Sequence, residues 1–110
     1  MALVSDDLMF ASQLNTAMAR SGGSCALVVG DAVPEAGALF VDLNRDVEAR
    51  LELIAAQRAA RPALEIVGFC HHEARALRRR ALATGATRVI NNGALQAVAL
   101  RLAGVSVGRS

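Results

Sequence analysis

What the sequence lacks limits what this protein can be. It contains no Trp, no Tyr and no Lys, so all 12 basic residues are Arg, and aromatic residues make up 3% of the chain. The core must therefore be filled mainly by Ala, Leu, Val and Ile. Two cysteines, Cys25 and Cys70, are too few for a disulfide framework. A net charge of +2, with no aromatic residues interleaved among the arginines, argues against a nucleic-acid-binding protein.

Signals for membranes and secretion are also missing. No apolar run approaches the roughly 20 residues that span a bilayer. The first ten residues, "MALVSDDLMF", lack the basic start and apolar stretch of a signal peptide, so we expect a cytoplasmic protein without a membrane partner. A chain of 110 residues, 54% hydrophobic and 20% charged, fits one globular domain. We expect that domain over residues 1–104, followed by a disordered tail at 105–110.

Five apolar runs alternate with helical patterns along the chain. The predicted strands are residues 2–5, 25–29, 38–43, 64–69 and 87–91. The predicted helices follow Asp7 as far as the stop at 21–23, then occupy 46–60, 72–85 with Gly85 as C-cap, and 94–104. The first helix should bury Leu8, Ala11, Leu14 or Asn15, and Met18. Apolar runs without alternation predict a parallel sheet that is covered on both faces, in a doubly wound α/β domain.

The connection between the second and third strands is short. Residues 30–37, "GDAVPEAG", cannot hold a regular crossover helix, and Pro34 discourages one. The second helix should be absent or reduced to a turn. Either Val33 covers the exposed sheet or another chain does, and we therefore expect a homodimer.

Acidic residues follow two of the predicted strands. "SDD" at 5–7 follows the first strand, and "FVDL" at 40–43 ends the third with Asp42. Open α/β sheets place their ligands at the carboxyl ends of the strands, so these residues mark a candidate site. With this pattern the sequence resembles a bacterial response-regulator receiver domain over residues 2–104. The resemblance implies a single flavodoxin-like domain with a five-stranded sheet in the order 2-1-3-4-5.

The receiver resemblance also assigns roles to particular residues. It implies that Asp42 is the candidate phosphoacceptor, and that Asp6, Asp7 and Asp42 hold Mg²⁺ through carboxylate oxygens. Cys70 and Asn92 stand at the positions of the family's Thr or Ser and Lys, so the hydroxyl and the ammonium are both missing. The turn after Asp42, "NRDVEAR" at 44–50, also lacks the family's Pro and Gly.

From these departures we predict a degenerate receiver with weak Mg²⁺ binding and no efficient phosphorylation. Because close carboxylates repel one another, replacing Asp42 with Asn is expected to cost little stability.

Three functions remain open from the sequence. The first is a receiver-like signalling or protein-interaction module, not an enzyme, whose partner is a protein such as a histidine kinase or an output protein. The second is a conventional response regulator phosphorylated on Asp42 with Mg²⁺. The third is a small metal or thiol protein that uses Cys70 and His71. Adjacent side chains at a strand end diverge, and a structural zinc site needs four ligands, so the third is disfavoured.

An arginine-rich helix completes the candidate features. Arg75, Arg78 and Arg79 share one helix face through three- and four-residue spacings. We favour a solvated face over a docking surface for an acidic partner. The docking alternative rests on the receiver family, which uses its fourth helix, fifth strand and fifth helix for signalling and dimerisation.

Overall fold

The computed structural model describes residues 2–21, 26–27, 37–71 and 73–107. The strands are β1 (Ala2–Val4), β2 (Ala26–Leu27), β3 (Ala38–Asp42), β4 (Glu65–Cys70) and β5 (Arg88–Asn91). The helices are α1 (Leu8–Ser21), α2 (Val47–Ala60), α3 (Arg75–Thr84) and α4 (Leu95–Val107), and a 3-10 turn (Asn92–Ala94) precedes α4.

All strand pairs in the sheet are parallel, and the strands lie in the order β2-β1-β3-β4-β5. Leu3 is paired with Phe40, and Phe40 with Val67, so the central strands place bulky apolar residues side by side. The predicted α/β architecture with a parallel sheet is confirmed. Of the predicted second strand, only 26–27 are described, and the prediction that the second helix is missing lies outside the described residues.

Alternate residues of the central strands supply two apolar cores. Leu39 and Val41 of β3 pack with Leu51 and Ile54 of α2 in the core beneath α2 and α3. The other face of the sheet packs against α1 and α4, and its buried side chains include Leu3, Phe10, Leu14, Phe40, Phe69 and Leu95. The rings of Phe10 and Phe69 meet edge to face with their centroids 4.9 Å apart. Aromatic pairs of this geometry contribute about 1 kcal/mol beyond the area that they bury.

Helix α1 buries a different face from the one predicted at its first turn. Leu8 is 75% exposed, whereas Phe10, Leu14, Ala17 and Met18 are buried. Because Phe10 is the larger side chain and reaches Phe69, the helix turns Phe10 rather than Leu8 towards the sheet. Asn15, the alternative to Leu14, is exposed.

The predicted helix caps at Asp7 and Gly85 are confirmed, but the start of α3 and the end of α4 differ from the predicted boundaries. The backbone N–H of Met9 donates to Asp7 Oδ1 over 2.8 Å, so Asp7 caps α1. Gly85 ends α3 with a positive φ of 134°. Helix α3 starts at Arg75, later than expected, and α4 continues past Gly104 to Val107. The end of the expected tail, 108–110, lies outside the described residues. One glycine costs a helix only about 1 kcal/mol, so it does not always end it.

Arg58 of α2 joins several segments at the amino-terminal edge of the sheet. Its Nε donates to the carbonyl of Gly85 over 2.8 Å, and Nη1 donates to the carbonyl of Pro62 over 2.8 Å. Its Nη2 donates to Thr87 Oγ1 over 3.0 Å, and that hydroxyl oxygen also accepts the N–H of Ile66. One side chain thus holds the loops before β4 and β5 together.

Within the described residues, no helix combines the length and the apolar composition that a membrane crossing requires.

Candidate functional site

An open cleft lies at the carboxyl ends of β1, β3 and β5. Its volume is about 640 Å³. The lining residues come from the start of α1 and from the segments after β1, β3, β4 and β5: Asp6, Asp7, Leu8, Met9, Phe10, Asp42, Asn44, Arg45, His71 and Asn92. The strand ends thus bring all three predicted acidic residues to one edge of the sheet.

Asp42 is the buried acidic residue of this cleft. Only 3% of its surface is exposed, and both of its carboxylate oxygens accept hydrogen bonds. The hydroxyl of Ser5 donates to Oδ2 over 2.6 Å. The backbone N–H and the side-chain amide of Asn44 donate to Oδ1 over 2.9 Å and 2.6 Å. Burial of the charge is compensated by these charge-assisted bonds, which are among the stronger hydrogen bonds in proteins.

Two side-chain amides form a hydrogen-bonded pair beside Asp42. Asn44 Nδ2 donates to Asn92 Oδ1 over 3.0 Å, and Asn92 Nδ2 donates to Asn44 Oδ1 over 3.1 Å. The pair links the turn after β3 to the turn after β5. Asn92 is therefore in the site, as the resemblance implied, but it contributes a neutral amide and reaches Asp42 through Asn44.

Asp6 and Asp7 are engaged elsewhere at the same edge. Asp7 caps α1, and its own N–H donates to Ser5 Oγ over 3.0 Å. Asp6 forms an ion pair with Arg50, with Nη2 and Oδ2 3.2 Å apart. Among the residues that the structure describes, no three His, Cys, Asp or Glu side chains are grouped so that they could hold a metal ion. The predicted Mg²⁺ ligands share an edge without forming a cluster.

Arg50 is a residue of this edge that the sequence did not reveal, as are Ser5 and Asn44, which contact the Asp42 carboxylate. The residue surface of Arg50 is 8% exposed although it carries a charge. Nη1 donates to the backbone carbonyls of Val4 and Asp42 over 3.2 Å and 3.0 Å, and Nη2 donates to Asp6. The one signal in the sequence is its position four residues before the core residue Ile54, which places both on one face of α2. Arginines are so often exposed that this spacing alone is a weak indication.

Cys70 and His71 separate at the end of β4. Cys70 is fully buried in the core beneath α2 and α3 and does not line the cleft. Desolvation by burial raises the pKa of the Cys70 thiol, and the nearby charge of Arg78 opposes that shift. A buried thiol with a raised pKa has little nucleophilic thiolate at neutral pH. His71 is exposed and lines the cleft.

The arginines of α3 are only partly free for a partner. Arg78 donates to the carbonyl of Val89 over 3.2 Å and to the side-chain oxygen of Asn91. Arg80 pairs with Glu48 over 2.6 Å at an exposed position. Arg75 and Arg79 are exposed. The face predicted from Arg75, Arg78 and Arg79 is therefore divided, because Arg78 is held by β5.

Comparison of whole folds decides which known architecture this is. A CheY-like protein, TadZ, from Pseudomonas aeruginosa PAO1 superposes with a TM-score of 0.77 and 23% identity, over 94% of this chain and 91% of that chain. The receiver domain of NtrX from Brucella abortus matches with a TM-score of 0.73 and 16% identity, over 99% and 98% of the two chains. The chain has the fold of a response-regulator receiver domain.

The receiver fold is shared with further solved structures at low sequence identity. A response regulator from Thermotoga maritima matches with a TM-score of 0.76 and 17% identity, over 99% of this chain and 97% of that chain. No protein-family model matches the sequence, and no curated protein matches it significantly. Similarity at this level establishes architecture, so the function must be argued from the residues of the site.

Proposed function

We propose that this protein is a cytoplasmic, receiver-like signalling or protein-interaction module that works without efficient phosphorylation and is not an enzyme. Its partner is a protein, such as a histidine kinase or an output protein. What supports the proposal is the state of Asp42, whose two carboxylate oxygens both accept hydrogen bonds inside the fold. That arrangement suits a structural carboxylate better than a nucleophile.

Phosphoryl transfer to Asp42 would need groups that the receiver family's Lys and hydroxyl positions do not supply in this chain. A carboxylate oxygen would have to leave Ser5 or Asn44 to attack phosphorus. The charge on the transferred phosphoryl oxygens is normally met by a metal ion and by cationic side chains. Asn92, at the Lys position of the family, brings a neutral amide that is already paired with Asn44. Cys70, at the hydroxyl position, is buried in the core and away from the cleft.

The first prediction is that acetyl phosphate with Mg²⁺ adds no phosphate to the protein. Intact-mass measurement over a time course should give only the unmodified mass, because both oxygens of the nucleophile are hydrogen-bonded and a neutral amide stands at the family's Lys position. Asp42→Asn is the matched control, since it keeps the shape of the residue and removes the acceptor. Stoichiometric phosphate that disappears in Asp42→Asn would contradict the proposal.

That contradicting result would establish the second candidate, a conventional response regulator. One observation favours it: Asp42 ends β3 and lines an open cleft together with Asp6 and Asp7. The position of Asp42 in the fold is therefore compatible with both candidate functions. They differ in whether a phosphodonor can displace Ser5 or Asn44 from the Asp42 carboxylate.

Self-association is part of the proposed mode of action, since the second helix is predicted to be missing and an apolar face of the sheet to be uncovered. Sedimentation equilibrium over a wide concentration range should show a dimer. Val33→Asp should dissociate the dimer when the interface is the gap beside the second strand. Leu82→Asp is the matched change on the alternative interface, the face formed by α3, β5 and α4. Leu82 of α3 is 49% exposed, whereas Leu95 of α4 is fully buried, so a change at Leu95 would report only on folding.

The dimer prediction has a clear negative outcome. A protein that stays at its monomer mass of 11.5 kDa at high concentration would exclude self-association as the way in which the sheet is covered.

A further inference from the structure

We infer that Arg50 takes the place of a divalent cation at the acidic edge, by which we mean the carboxyl ends of β1 and β3 with Asp6, Asp7 and Asp42. Its guanidinium contacts the oxygen atoms that a divalent metal would use. Removing Arg50 should therefore convert this edge into a divalent-cation site. The receiver fold implies Mg²⁺ here. The residues present do not fit the ion, because a guanidinium already lies among the oxygen atoms. The inference rests on the proposed function only in taking this edge as the site.

Arg50 contacts oxygen atoms of the kind that a metal ion binds. Its guanidinium donates to two backbone carbonyls, those of Val4 and Asp42, and to the carboxylate of Asp6, over 3.0 to 3.2 Å. Carbonyl and carboxylate oxygens are the ligands of hard divalent cations. One arginine thus joins the ends of β1 and β3 through oxygen atoms that a metal ion would need.

The positive charge at this edge lies on a largely buried side chain. The side chain of Arg50 is only 10% exposed, whereas that of Asp6 is 59% exposed, so the guanidinium is the desolvated partner of the pair. A second carboxylate, that of Asp46, lies 4.0 Å from Nη2. A divalent ion entering beside the guanidinium would meet a fixed like charge at short range, which weakens its binding strongly in a partly buried site.

The start of helix α2 directs the side chain of Arg50 into the site. Arg50 lies in the first turn of α2, and its backbone N–H donates to the carbonyl of Asp46 over 2.9 Å. Asp46 precedes the helix with left-handed dihedral angles, φ 50° and ψ 44°. Side chains on a helix lean towards its amino terminus, which here faces the ends of β1 and β3. The helix start therefore aims Arg50 at the acidic edge.

The consequence is an edge that carries a permanent cation. The guanidinium offsets part of the acidic charge whether or not Mg²⁺ is present.

The experiment compares divalent-cation binding in the full chain and three variants. Mn²⁺ binding is followed by water-proton relaxation, and Mg²⁺ by its competition with Mn²⁺. The wild-type protein and Arg45→Ala should show no saturable binding at millimolar Mn²⁺; Arg45 is the matched control because it lines the same cleft from an exposed position. Arg50→Ala and Arg50→Met should bind at least ~10-fold more tightly, since a like charge at close range is gone.

The divalent-cation binding gained in the Arg50 variants must also be shown to occur at the acidic edge. The double variant Arg50→Ala with Asp6→Asn should lose the gained affinity, because Asp6 supplies the carboxylate that Arg50 contacts most closely. Saturable wild-type binding that Asp42→Asn abolishes would overturn the inference, and so would an Arg50→Ala protein that binds no better than wild type.

Loss of Arg50 leaves two carbonyls without their donor, so folding is measured alongside. Circular dichroism should show that Mg²⁺ raises the thermal midpoint of the Arg50 variants, or restores their fold, by binding the native state. The wild-type midpoint should not move. Variants that Mg²⁺ fails to rescue would contradict the inference. Metal binding and the mass of phosphorylated protein are separate readouts, so failure of this inference is distinguishable from failure of the proposed function.

Discussion

Replacing Asp42 with alanine is expected to lower the free energy of unfolding by about 3 kcal/mol, because buried donors lose a charged acceptor. The hydroxyl of Ser5 and the N–H and side-chain amide of Asn44 would all be left without the carboxylate that they now contact. For a domain of this size the change corresponds to a fall of about 12 °C or more in the thermal midpoint.

The isosteric change Asp42→Asn is the control, and it should cost only about 1 kcal/mol, the difference between a charge-assisted and a neutral bond. Its oxygen can still accept from Asn44, and its NH₂ group can donate to Ser5 Oγ. Urea denaturation of the two variants and the wild type measures both values. If both variants have the urea unfolding midpoint of the wild type, the Asp42 carboxylate does not stabilise the fold and is available for chemistry.

The sequence alone suggested that losing the Asp42 carboxylate would relieve repulsion among three acids. The structure gives a different energy balance. Asp6 is paired with Arg50, and Asp7 caps α1, so the acids are compensated separately. Little repulsion remains to be relieved, and the lost hydrogen bonds decide the sign of the effect.

Replacing Gly85 with alanine should also destabilise the protein, by about 2 to 3 kcal/mol, because it combines backbone strain with a steric clash. Gly85 has a φ of 134°, which side-chain-bearing residues rarely adopt. A Cβ atom there would lie 2.9 Å from both Cβ and Cγ of Arg58. Arg58 could not move away without weakening its bond to the carbonyl of Gly85.

Gly93→Ala is the matched control for Gly85→Ala. A Cβ atom at Gly93 would meet no heavy atom within 4 Å, and its φ is not in the left-handed range. We expect a change within about 0.5 kcal/mol, with a small gain where the unfolded chain becomes less flexible. Thermal unfolding of both variants tests the pair, and equal midpoints would refute the structural account of Gly85.

Much of the fold follows from patterns that leave few alternatives. Runs such as "ALFVD" at 38–42 are apolar at every position before the acid, which only a strand covered on both faces explains well. Asp7 and Gly85 are predicted as caps because their chemistry at a helix end is local. The position of Asp42 at the strand end follows from the sheet instead, because the carboxyl ends of parallel strands meet at one edge.

The rest depends on contacts between distant segments. Arg50 looks like any solvated arginine until β1 and β3 supply the carbonyls that hold it. Leu8 and Phe10 are both apolar, and only the position of Phe69 decides which one is buried. Cys70 aligns with a site position in the receiver family, but its side chain enters the core shared by Ile66. Neither alternation nor alignment fixes such orientations without the packing around them.

Two of the connections at the cleft differ in their response to ionic strength. The amide pair of Asn44 and Asn92 joins the turns after β3 and β5 without any net charge. The contact between Arg50 and Asp6 joins α2 to the segment after β1 through an ion pair whose acid is more than half exposed. Dissolved salt screens exposed charges and leaves neutral amide bonds largely unaffected. Raising the ionic strength should therefore weaken the contact between Arg50 and Asp6, while the amide pair and the buried bonds of Arg50 to the carbonyls of Val4 and Asp42 persist.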